Sequence, residues 1–386
     1  MNYIFNLSKG NFFMINVKIT DVKIVNLRVT EKIGEIEPAW SPGQLSSFEK
    51  GGGSIIKIET DSGVYGIGTS LNPIFLDSVR NYLIGKDPLQ IELHSANLLQ
   101  GYSLPYQGMA GVDIALWDIL GKLSNLPLYK IWGGNRNKLI PYASMIILSN
   151  PDERAEMAKK LYQEGWKAIK LRLHHESIQE DLKTVEKVRL AVGKDMTIMV
   201  DANQAQSTVR YQKGVKWDFK RAYETAKELE NFDVYWLEEP LYRYDFEALS
   251  ELASKVNIRI AGGENNIIMN DFLLFCEKNS YQVLQPESMV LGGITQLRKI
   301  AILAEMYGKK IVPHHGGGGL GVIAHMHLVA SWNNAPFMEL LHDPPIGSYT
   351  HKFSIMKNYP TIDNDGYMNL PTKPGLGVEI DDDLII

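Results

Sequence analysis

The feature that most constrains this chain is a regular alternation of short apolar runs with helical stretches, which begins near Ile140. Eight runs typical of buried strands recur, at residues 141–146, 168–173, 198–201, 234–237, 258–261, 283–284, 310–313 and 337–341. Amphipathic stretches such as 178–192 and 219–229 lie between them. Strands and helices alternating in this way predict a (β/α)8-type barrel. A doubly wound sheet is disfavoured, because the first turn lacks the usual glycines.

The residues on either side of the alternation predict a second layer. Apolar and polar side chains alternate in places over 17–29, and runs 55–59 and 64–67 are joined by turn formers, so both regions indicate strands. The segment 111–123 has apolar residues at helical spacing. We therefore predict an α+β capping domain over 14–138, a barrel over 139–350 and a C-terminal segment, 351–386, that packs back on the cap. Residues 1–13 precede Met14 and are predicted to be an extension to which we assign no function.

Composition excludes several classes of partner. The 40 Lys and Arg against 45 Asp and Glu give a formal net charge of −5, which predicts no nucleic-acid or anionic-membrane partner. The single cysteine, Cys276, excludes a disulfide within the chain and fits a reducing compartment, so we predict a cytoplasmic location. No apolar run approaches the roughly 18 residues that a membrane helix needs.

Polar side chains stand at the carboxyl ends of the predicted strands, where barrels of this kind carry their active sites. In strand order these are Lys170 and Arg172, Asp201 with Asn203, Glu238 with Glu239, Glu264, Glu287, His314 and Glu339. Three carboxylates, those of Asp201, Glu238 and Glu264, come from successive strand ends and would repel one another unless a cation lay between them. Oxygen ligands on a rigid frame suit Mg2+. We predict these three as metal ligands and Glu239 as a structural partner.

Several motifs follow one another in a specific order. They are Lys170-Leu171-Arg172, Val200-Asp201-Ala202-Asn203, Trp236-Leu237-Glu238-Glu239-Pro240, Gly262-Gly263-Glu264, Gly292-Gly293-Ile294-Thr295, Pro313-His314, the helix that includes Asp113-Ile114-Ala115-Leu116-Trp117-Asp118, and the tail Pro374-Gly375-Leu376-Gly377. In this order they resemble the enolase superfamily, specifically its mandelate racemase subgroup. The resemblance implies an N-terminal α+β capping domain, completed by the C-terminal tail, over a (β/α)7β modified TIM barrel. It also implies one Mg2+ on the three carboxylates, and removal of the proton α to a substrate carboxylate as the first step.

The resemblance assigns the catalytic groups. His314 would be the base, oriented by Glu287, where the family usually has Asp. Lys170 and Glu339 would act as electrophilic or acid–base groups, and we expect burial and neighbouring carboxylates to raise the pKa of Glu339 so that it can donate a hydrogen bond. Racemases carry a second base where this chain has Arg172, which stays protonated and cannot easily exchange a proton with carbon.

One competent base favours a reaction on one face of the substrate, and the natural one is dehydration. The chain resembles the acid-sugar dehydratases of the subgroup, so we predict that it converts an aldonate, such as the pentonate arabinonate, into a 2-keto-3-deoxy acid. One alternative is a racemase or epimerase of an α-hydroxy acid with Lys170 as second base. Others are a non-catalytic sugar-acid-binding barrel and a zinc-dependent amidohydrolase. Assembly into a homo-oligomer is expected.

Further residues have weaker signals. His315 competes with His314 as the base, and we place it among the substrate contacts with Asn203 and Trp40. The glycine-bounded segment 40–54 is predicted to be a mobile lid. His325 and His327 are interpreted as packing or surface residues, and the glycines at 316–319 as a tight turn rather than a phosphate cradle.

Overall fold

The computed structural model describes residues 16–101, 105–134, 136–206 and 214–386. Its strands are β1 (Ile19–Asn26), β2 (Val29–Ile36), β3 (Ser46–Gly51), β4 (Ser54–Thr60), β5 (Tyr65–Gly68), β6 (Lys138–Leu139), β7 (Pro141–Ser144), β8 (Ala168–Arg172), β9 (Thr197–Asp201), β10 (Val234–Glu238), β11 (Arg259–Gly262), β12 (Val283–Leu284), β13 (Lys310–Ile311), β14 (Met338–Leu341) and β15 (Met368–Asn369). Its α-helices are α1 (Leu76–Leu83), α2 (Ile91–Ala96), α3 (Tyr106–Leu123), α4 (Leu128–Ile131), α5 (Pro151–Gln163), α6 (Ile178–Val192), α7 (Phe219–Leu229), α8 (Phe246–Lys255), α9 (Met269–Glu277), α10 (Ser288–Leu291), α11 (Ile294–Met306), α12 (Gly319–Ser331) and α13 (Tyr349–Phe353).

The predicted barrel is confirmed. Strands β7 to β14 form one parallel eight-stranded sheet in the order β13-β12-β11-β10-β9-β8-β7-β14, and a helical segment separates each strand from the next. Each strand, or a residue beside it, contributes one side chain to a buried interior layer: Tyr142, Ala168, Met199, Trp236, Ala261, Val283, Val312 and Phe337. Because these side chains fill the barrel interior, the polar residues nearer the carboxyl ends of the strands lie on top of a packed apolar layer.

The helices between the strands begin where side chains can satisfy their first N–H groups. Asn150 caps α5 in a reciprocal arrangement with Glu153, Ser177 caps α6, and Asp218 caps α7. The predicted helices 178–192 and 219–229 are confirmed at those residues. Local capping and periodicity therefore suffice to define these outer helices.

The cap consists of the antiparallel sheet β1-β4-β5, helices α1 to α3 and a separate hairpin, β2-β3. The prediction of a lid loop over 40–54 is wrong in part, because residues 46–51 form strand β3 and pair with β2. Phe48 and Ile36 of the hairpin pack with Ile146 and Leu341 of the barrel mouth. This apolar contact seats the hairpin, and its connecting segment, which includes Trp40, beside the cleft.

Cap and barrel join where two of the sequence motifs meet. Asp113 on α3 accepts hydrogen bonds from the backbone N (2.9 Å) and Oγ1 (2.5 Å) of Thr295 on α11, and Trp117 Nε1 donates to the same Oγ1 (2.9 Å). Gly293 has φ +104°, and a Cβ there would lie 2.5 Å from Asp113 Oδ2. The Gly-Gly-Ile-Thr motif thus permits a close buried contact, and its role here is structural.

The C-terminal segment returns to the cap, as the predicted fold class requires. Leu376 N donates to Asp118 Oδ1 (2.8 Å), and Arg28 N donates to the Leu384 carbonyl (2.8 Å). The domain boundaries stay predictions, and residues 1–13 lie outside the described ranges. In those ranges no helix is both long and apolar enough to cross a bilayer. Homo-oligomer assembly and a cytoplasmic location stay predictions.

Candidate active site

A cavity of about 320 Å³ opens at the carboxyl ends of the barrel strands. Its lining residues are Trp40, Ser144, Arg172, Asn203, Gln206, Glu239, Glu264, Asn265, His314, His315 and Leu341. All three predicted substrate contacts, Asn203, Trp40 and His315, are among them. Arg172, Glu264 and His314 also line it. The remaining predicted site residues are buried beside this wall, so the structure brings the whole predicted set together: Lys170, Asp201, Glu238, Glu287 and Glu339.

The three predicted metal ligands converge. Asp201 is the last residue of β9, Glu238 is the last of β10, and Glu264 follows β11 by two residues. One carboxylate oxygen from each lies within 4.8 Å of the others. Asp201 and Glu238 are fully buried, so their mutual repulsion is poorly screened by water.

This donor set fits a hard divalent cation. It consists of three carboxylates and includes no thiolate or imidazole, which is the chemistry that Mg2+ selects. Burial, together with the charges of Asp201, Glu339 and Glu264, raises the pKa of Glu238 to about 8 even though Lys170 opposes the shift. The cluster therefore has more negative charge than the side chains around it neutralise, and a bound cation would relieve the excess.

Glu238 is held by three donors, two of which the sequence analysis missed. Its Oε1 accepts from Lys170 Nζ (2.6 Å), and its Oε2 accepts from Trp236 Nε1 (3.0 Å) and Gln285 Nε2 (2.7 Å). Trp236 precedes Glu238 by two residues on the same strand, so the period of two could have identified it. Gln285 comes from the neighbouring region after β12 and has no such local signal.

Lys170 is the central buried cation. Its Nζ lies 2.9 Å from Glu339 Oε1 and 3.6 Å from Asp201 Oδ2, in addition to the contact with Glu238. Burial lowers the pKa of Lys170, but the attraction of Glu238 and Glu339 outweighs it and the net pKa is raised. Lys170 therefore stays charged and is committed to its carboxylate partners.

The expectation for Glu339 is wrong. Burial does raise its pKa, but the positive charges of Lys170, His314 and Arg172 outweigh burial and the net pKa is lowered. Glu339 lies within β14, level with Tyr142 on β7, rather than beyond the end of its strand. It therefore remains an ionised carboxylate, which pairs with Lys170 and cannot donate a hydrogen bond.

Arg172 is tethered from several sides. Its Nη1 donates to Asp201, its Nη2 donates to Ser144 Oγ (2.9 Å), and its Nε donates to the Met145 carbonyl (2.9 Å). Asn203 adds a weaker contact to Nη1 at 3.3 Å. Ser144 was not predicted, although it is the last residue of β7, the first barrel strand.

Backbone conformation places the side chains at the ends of β9 to β11. Gly263 has φ +117°, and a Cβ on the preceding Gly262 would lie 2.5 Å from the Tyr281 ring. Glu239 has φ 45° and Asn203 has φ 50°, a conformation uncommon for residues with side chains. Glu239 is not among the three clustered ligands; its Oε1 accepts from Asn265 Nδ2 (2.9 Å), and its side chain faces the cavity.

The histidine side of the cleft is built from loops. His314 Nδ1 lies 2.8 Å from Glu287 Oε2, while its Nε2 faces the cavity 3.2 Å from Glu264 Oε2. Burial lowers the pKa of His314, but Glu264 and Glu287 outweigh it and raise the value to about 10. A cation held at Glu264 would oppose this shift and move the imidazole toward the neutral form, which can accept a proton.

His315 has a different electrostatic state. Burial and the charge of His314 lower its pKa to about 3, so its ring is neutral. Gly317 N donates to its Nδ1 (3.1 Å), which leaves the ring proton on Nε2. His315 can therefore donate a hydrogen bond in the cavity but is a poor base.

His325 and His327 are both buried on α12, which corrects the surface alternative. His327 Nε2 lies 3.0 Å from the Leu376 carbonyl and its ring stacks on Tyr129, a packing role. His325 Nε2 lies 2.7 Å from Ser288 Oγ, directly behind Glu287.

Two models of one protein family match this chain. The model described as "Enolase C-terminal domain-like" matches residues 153–384, and the "Mandelate racemase / muconate lactonizing enzyme, N-terminal domain" model matches residues 36–133. The chain belongs to the enolase superfamily. It falls in the mandelate racemase subgroup, as the motifs indicated.

Three similar proteins illustrate the range of relatives. Arabinonate dehydratase of Saccharolobus solfataricus is 30% identical over 347 residues, covering 84% of this chain and 87% of the relative. The structure of 3,6-anhydro-D-galactonate cycloisomerase from Zobellia galactanivorans has a TM-score of 0.78 at 28% identity, covering 96% of this chain and 99% of that one. The structure of a racemase from Streptomyces coelicolor A3(2) with bound magnesium has a TM-score of 0.77 at 26% identity, covering 95% and 100%.

Proposed function

We propose that this chain is a Mg2+-dependent dehydratase of a sugar acid, an aldonate such as the pentonate arabinonate. One observation carries the proposal. The cleft contains one imidazole with a carboxylate partner, His314 with Glu287, whereas the second-strand position used as a base by racemases holds Arg172. The relative named arabinonate dehydratase supports the substrate class.

Asp201, Glu238 and Glu264 would hold the Mg2+, which, when bound, supplies Lewis-acid stabilisation of negative charge developing on the substrate carboxylate. Lys170 and Arg172 add fixed positive charge beside Asp201, and Lys170 also lies beside Glu238. Such preorganised charge lowers the barrier to forming an enediolate, because no solvent must reorient as the charge appears.

His314 performs the proton transfers. Its Nε2 takes the proton from C2, and the C–H electron pair becomes the π bond of the enediolate. Glu287 accepts from Nδ1–H and stabilises the resulting imidazolium. The C3–O bond then breaks, the proton on His314 leaves with the hydroxyl as water, and the enol product tautomerises to the 2-keto-3-deoxy acid.

The cavity wall suits a polyhydroxylated substrate. Apart from Trp40 and Leu341, its lining side chains are polar or charged. Amide groups of Asn265 and Gln206 are bonded to each other (2.5 Å), and Asn265 also donates to Glu264 (3.1 Å). A row of oriented amides recognises hydroxyl groups by hydrogen bonding and would reject a purely apolar acid.

Lys170 argues against a racemase. A second base must give up and take back a proton at C2, whereas Lys170 is fully buried and is held in its charged form by Glu238 and Glu339, both within 3 Å. A sugar-acid lactone cycloisomerase is a second candidate, favoured by the relative from Agrobacterium fabrum named D-galactarolactone cycloisomerase, because opening such a ring by elimination needs the same single base.

The test is a screen of aldonic and aldaric acids, with their lactones, against the Mg2+-loaded protein in D2O. We expect one or a few aldonates to give 2-keto-3-deoxy acids, and His314→Asn to abolish the product. Deuterium incorporation at C2 without loss of water would instead identify a racemase or epimerase. Turnover of lactones alone would identify a cycloisomerase.

A further inference from the structure

His325 lies at the end of a hydrogen-bonded chain that leads to the base. Its Nε2 is 2.7 Å from Ser288 Oγ, Ser288 Oγ is 3.3 Å from Glu287 Oε1, and Glu287 Oε2 is 2.8 Å from His314 Nδ1. His325, Ser288 and Glu287 are all buried. The chain joins α12 to the loop after β12 and then to the loop after β13.

Glu287 needs this support because of its length. A glutamate has one more rotatable bond than the aspartate usual in the family, so more conformations must be excluded to hold its carboxylate in place. The Oε2 atom accepts from Gly316 N (2.9 Å) as well as His314, and Oε1 accepts from Met289 N (2.9 Å). Ser288 is the remaining donor to Oε1, and its single hydroxyl proton must be directed there.

The tautomer of His325 decides where the Ser288 proton goes. Burial lowers the pKa of His325, so the ring is neutral and has one N–H. With the proton on Nε2, His325 donates to Ser288 and Ser288 donates to Glu287, which makes two hydrogen bonds. With the proton on Nδ1, Ser288 would donate to His325 instead. The Nδ1–H would then have no well-directed acceptor among the described residues, although the His314 carbonyl lies near the ring. The Nε2 lone pair would also face the Glu287 carboxylate, whose Oε1 is 3.8 Å away, which is a costly arrangement.

We propose that His325 is a positioning residue for His314: as a fixed Nε2–H donor, it directs the Ser288 hydroxyl to Glu287 and so orients the base. This rests on the proposed function, in which His314 takes the proton from C2. The carboxylate is the group that sets the direction of the His314 ring, so freeing one of its oxygens changes where Nε2 points. Outer partners of this kind typically change activity by about 10- to 100-fold.

The kinetic test compares two substitutions of similar size. Glutamine can place an amide N–H near the Nε2 position of histidine, whereas the shorter asparagine reaches only to the Nδ1 position. We expect His325→Gln to keep kcat within a few-fold of wild type. His325→Asn and Ser288→Ala should each lower kcat by about 10- to 100-fold with little change in KM. Because they break one chain, their double variant should be no worse than either alone.

His327→Asn is the matched control, since His327 is buried on the same helix but bonds the Leu376 carbonyl away from the cleft. It should lower thermal stability and leave kcat unchanged. Equal kcat losses in His325→Gln and His325→Asn, or additive losses in the double variant, would overturn the proposal. If His325→Asn does not fold, Ser288→Ala alone tests the same link, and an unchanged kcat there would equally overturn it.

A second measurement separates this proposal from the proposed function. Long-range 15N–1H correlation spectra of histidine-labelled, Mg2+-loaded protein report which ring nitrogen carries the proton, whether or not any sugar acid is turned over. We expect His325 to be neutral and protonated at Nε2. Protonation at Nδ1 would refute the positioning role and leave the dehydratase proposal standing. If His325 has the expected tautomer but the protein dehydrates none of the sugar acids, the dehydratase proposal alone is refuted.

Discussion

The cleft and the cap–barrel junction both bury carboxylates, but they do so in opposite ways. In the junction, Asp113 accepts from Thr295, and Asp118 accepts from Ile67 N (3.0 Å), Leu376 N (2.8 Å) and Lys122 Nζ (2.7 Å). Each acid has its own donors, and no other acid contacts it in the part of the chain that the structure describes. In the cleft, Asp201, Glu238 and Glu264 converge on one point with oxygens within 4.8 Å.

This difference separates a structural contact from a chemical site. Burial alone raises the pKa of Asp113, Asp118 and Glu238 alike, so burial of an acid does not distinguish the two regions. Convergence of like charges does distinguish the cleft from the junction, because the repulsion between the charges is costly for folding and is relieved only when a cation binds. Changing an acid to its amide should therefore lower catalytic activity when the acid lies in the cleft. The same change in the junction should lower the free energy of unfolding.

The largest effect is expected from Glu264→Gln. Loss of a ligand charge should weaken Mg2+ binding and lower kcat/KM by about 10³-fold or more, since a bound metal supplies several kcal/mol of transition-state stabilisation. In chelator, the free energy of unfolding should stay within about 1 kcal/mol of wild type, because the amide can keep the neighbouring hydrogen bonds. Calorimetric Mg2+ titration and urea unfolding test both parts. Full activity with unchanged Mg2+ affinity would refute the ligand assignment.

Lys170→Met should produce the largest loss of stability within the cleft. Removing the buried ammonium leaves Glu238 and Glu339 uncompensated, which typically costs about 3–5 kcal/mol. Because Mg2+ adds positive charge to the same cluster, it should restore more stability to this variant than it adds to wild type. Urea unfolding with and without Mg2+ measures the difference. Lys187→Met, which removes the ion-pair partner of the exposed Asp152, is the control and should cost at most about 1 kcal/mol.

In the junction, Asp118→Asn should lower the free energy of unfolding by about 1–3 kcal/mol, the usual cost of leaving buried donors unpaired. The amide nitrogen cannot accept from Ile67 N or Leu376 N, so one of these N–H groups loses its partner. Urea unfolding gives the stability, and steady-state kinetics well below the unfolding temperature should show unchanged kcat and KM. A parallel fall in kcat would mean that the contact of tail and cap also shapes the cleft.

The sequence predicts the strand-borne half of the site well, for a physical reason. The residues concerned all lie on strands: Asp201, Glu238, Lys170 and Arg172. The alternation of side chains along a strand fixes the face on which each one lies, and the location of barrel active sites at the carboxyl ends identifies the end of the strand. The parallel eight-stranded barrel follows from the same local patterns. The pairing of His314 with Glu287 spans two loops and was predicted only because the chain resembles a known subgroup.

The features that the sequence did not predict depend on contacts between residues that are far apart in the sequence. The lowered pKa of Glu339 follows from the 2.9 Å approach of Lys170, which no local pattern encodes. Ser288 and His325 are 37 positions apart and meet only when α12 packs behind the loop after β12. The hairpin strand over 46–51 is rich in Ser and Gly, and its pairing with β2 and packing on Ile146 decide its conformation rather than its propensity.

The last expected effect is a pH dependence of stability that belongs to the junction. Burial, only partly opposed by the hydrogen bonds from Thr295, raises the pKa of Asp113 to about 7 from its ordinary value of 3.8. Between these values the folded chain holds a proton that the unfolded chain has released. The stability associated with that proton is therefore full below pH 3.8 and is lost as pH rises toward 7, by at most about 1.4 kcal/mol per pH unit. Subtracting the unfolding free energies of Asp113→Asn from those of wild type over pH 5 to 8 isolates this group, because other titrating residues are common to both. The difference should fall with rising pH and level off above 7. A flat difference would show that Asp113 is ionised throughout, and the junction would then tolerate buried charge as the cleft does.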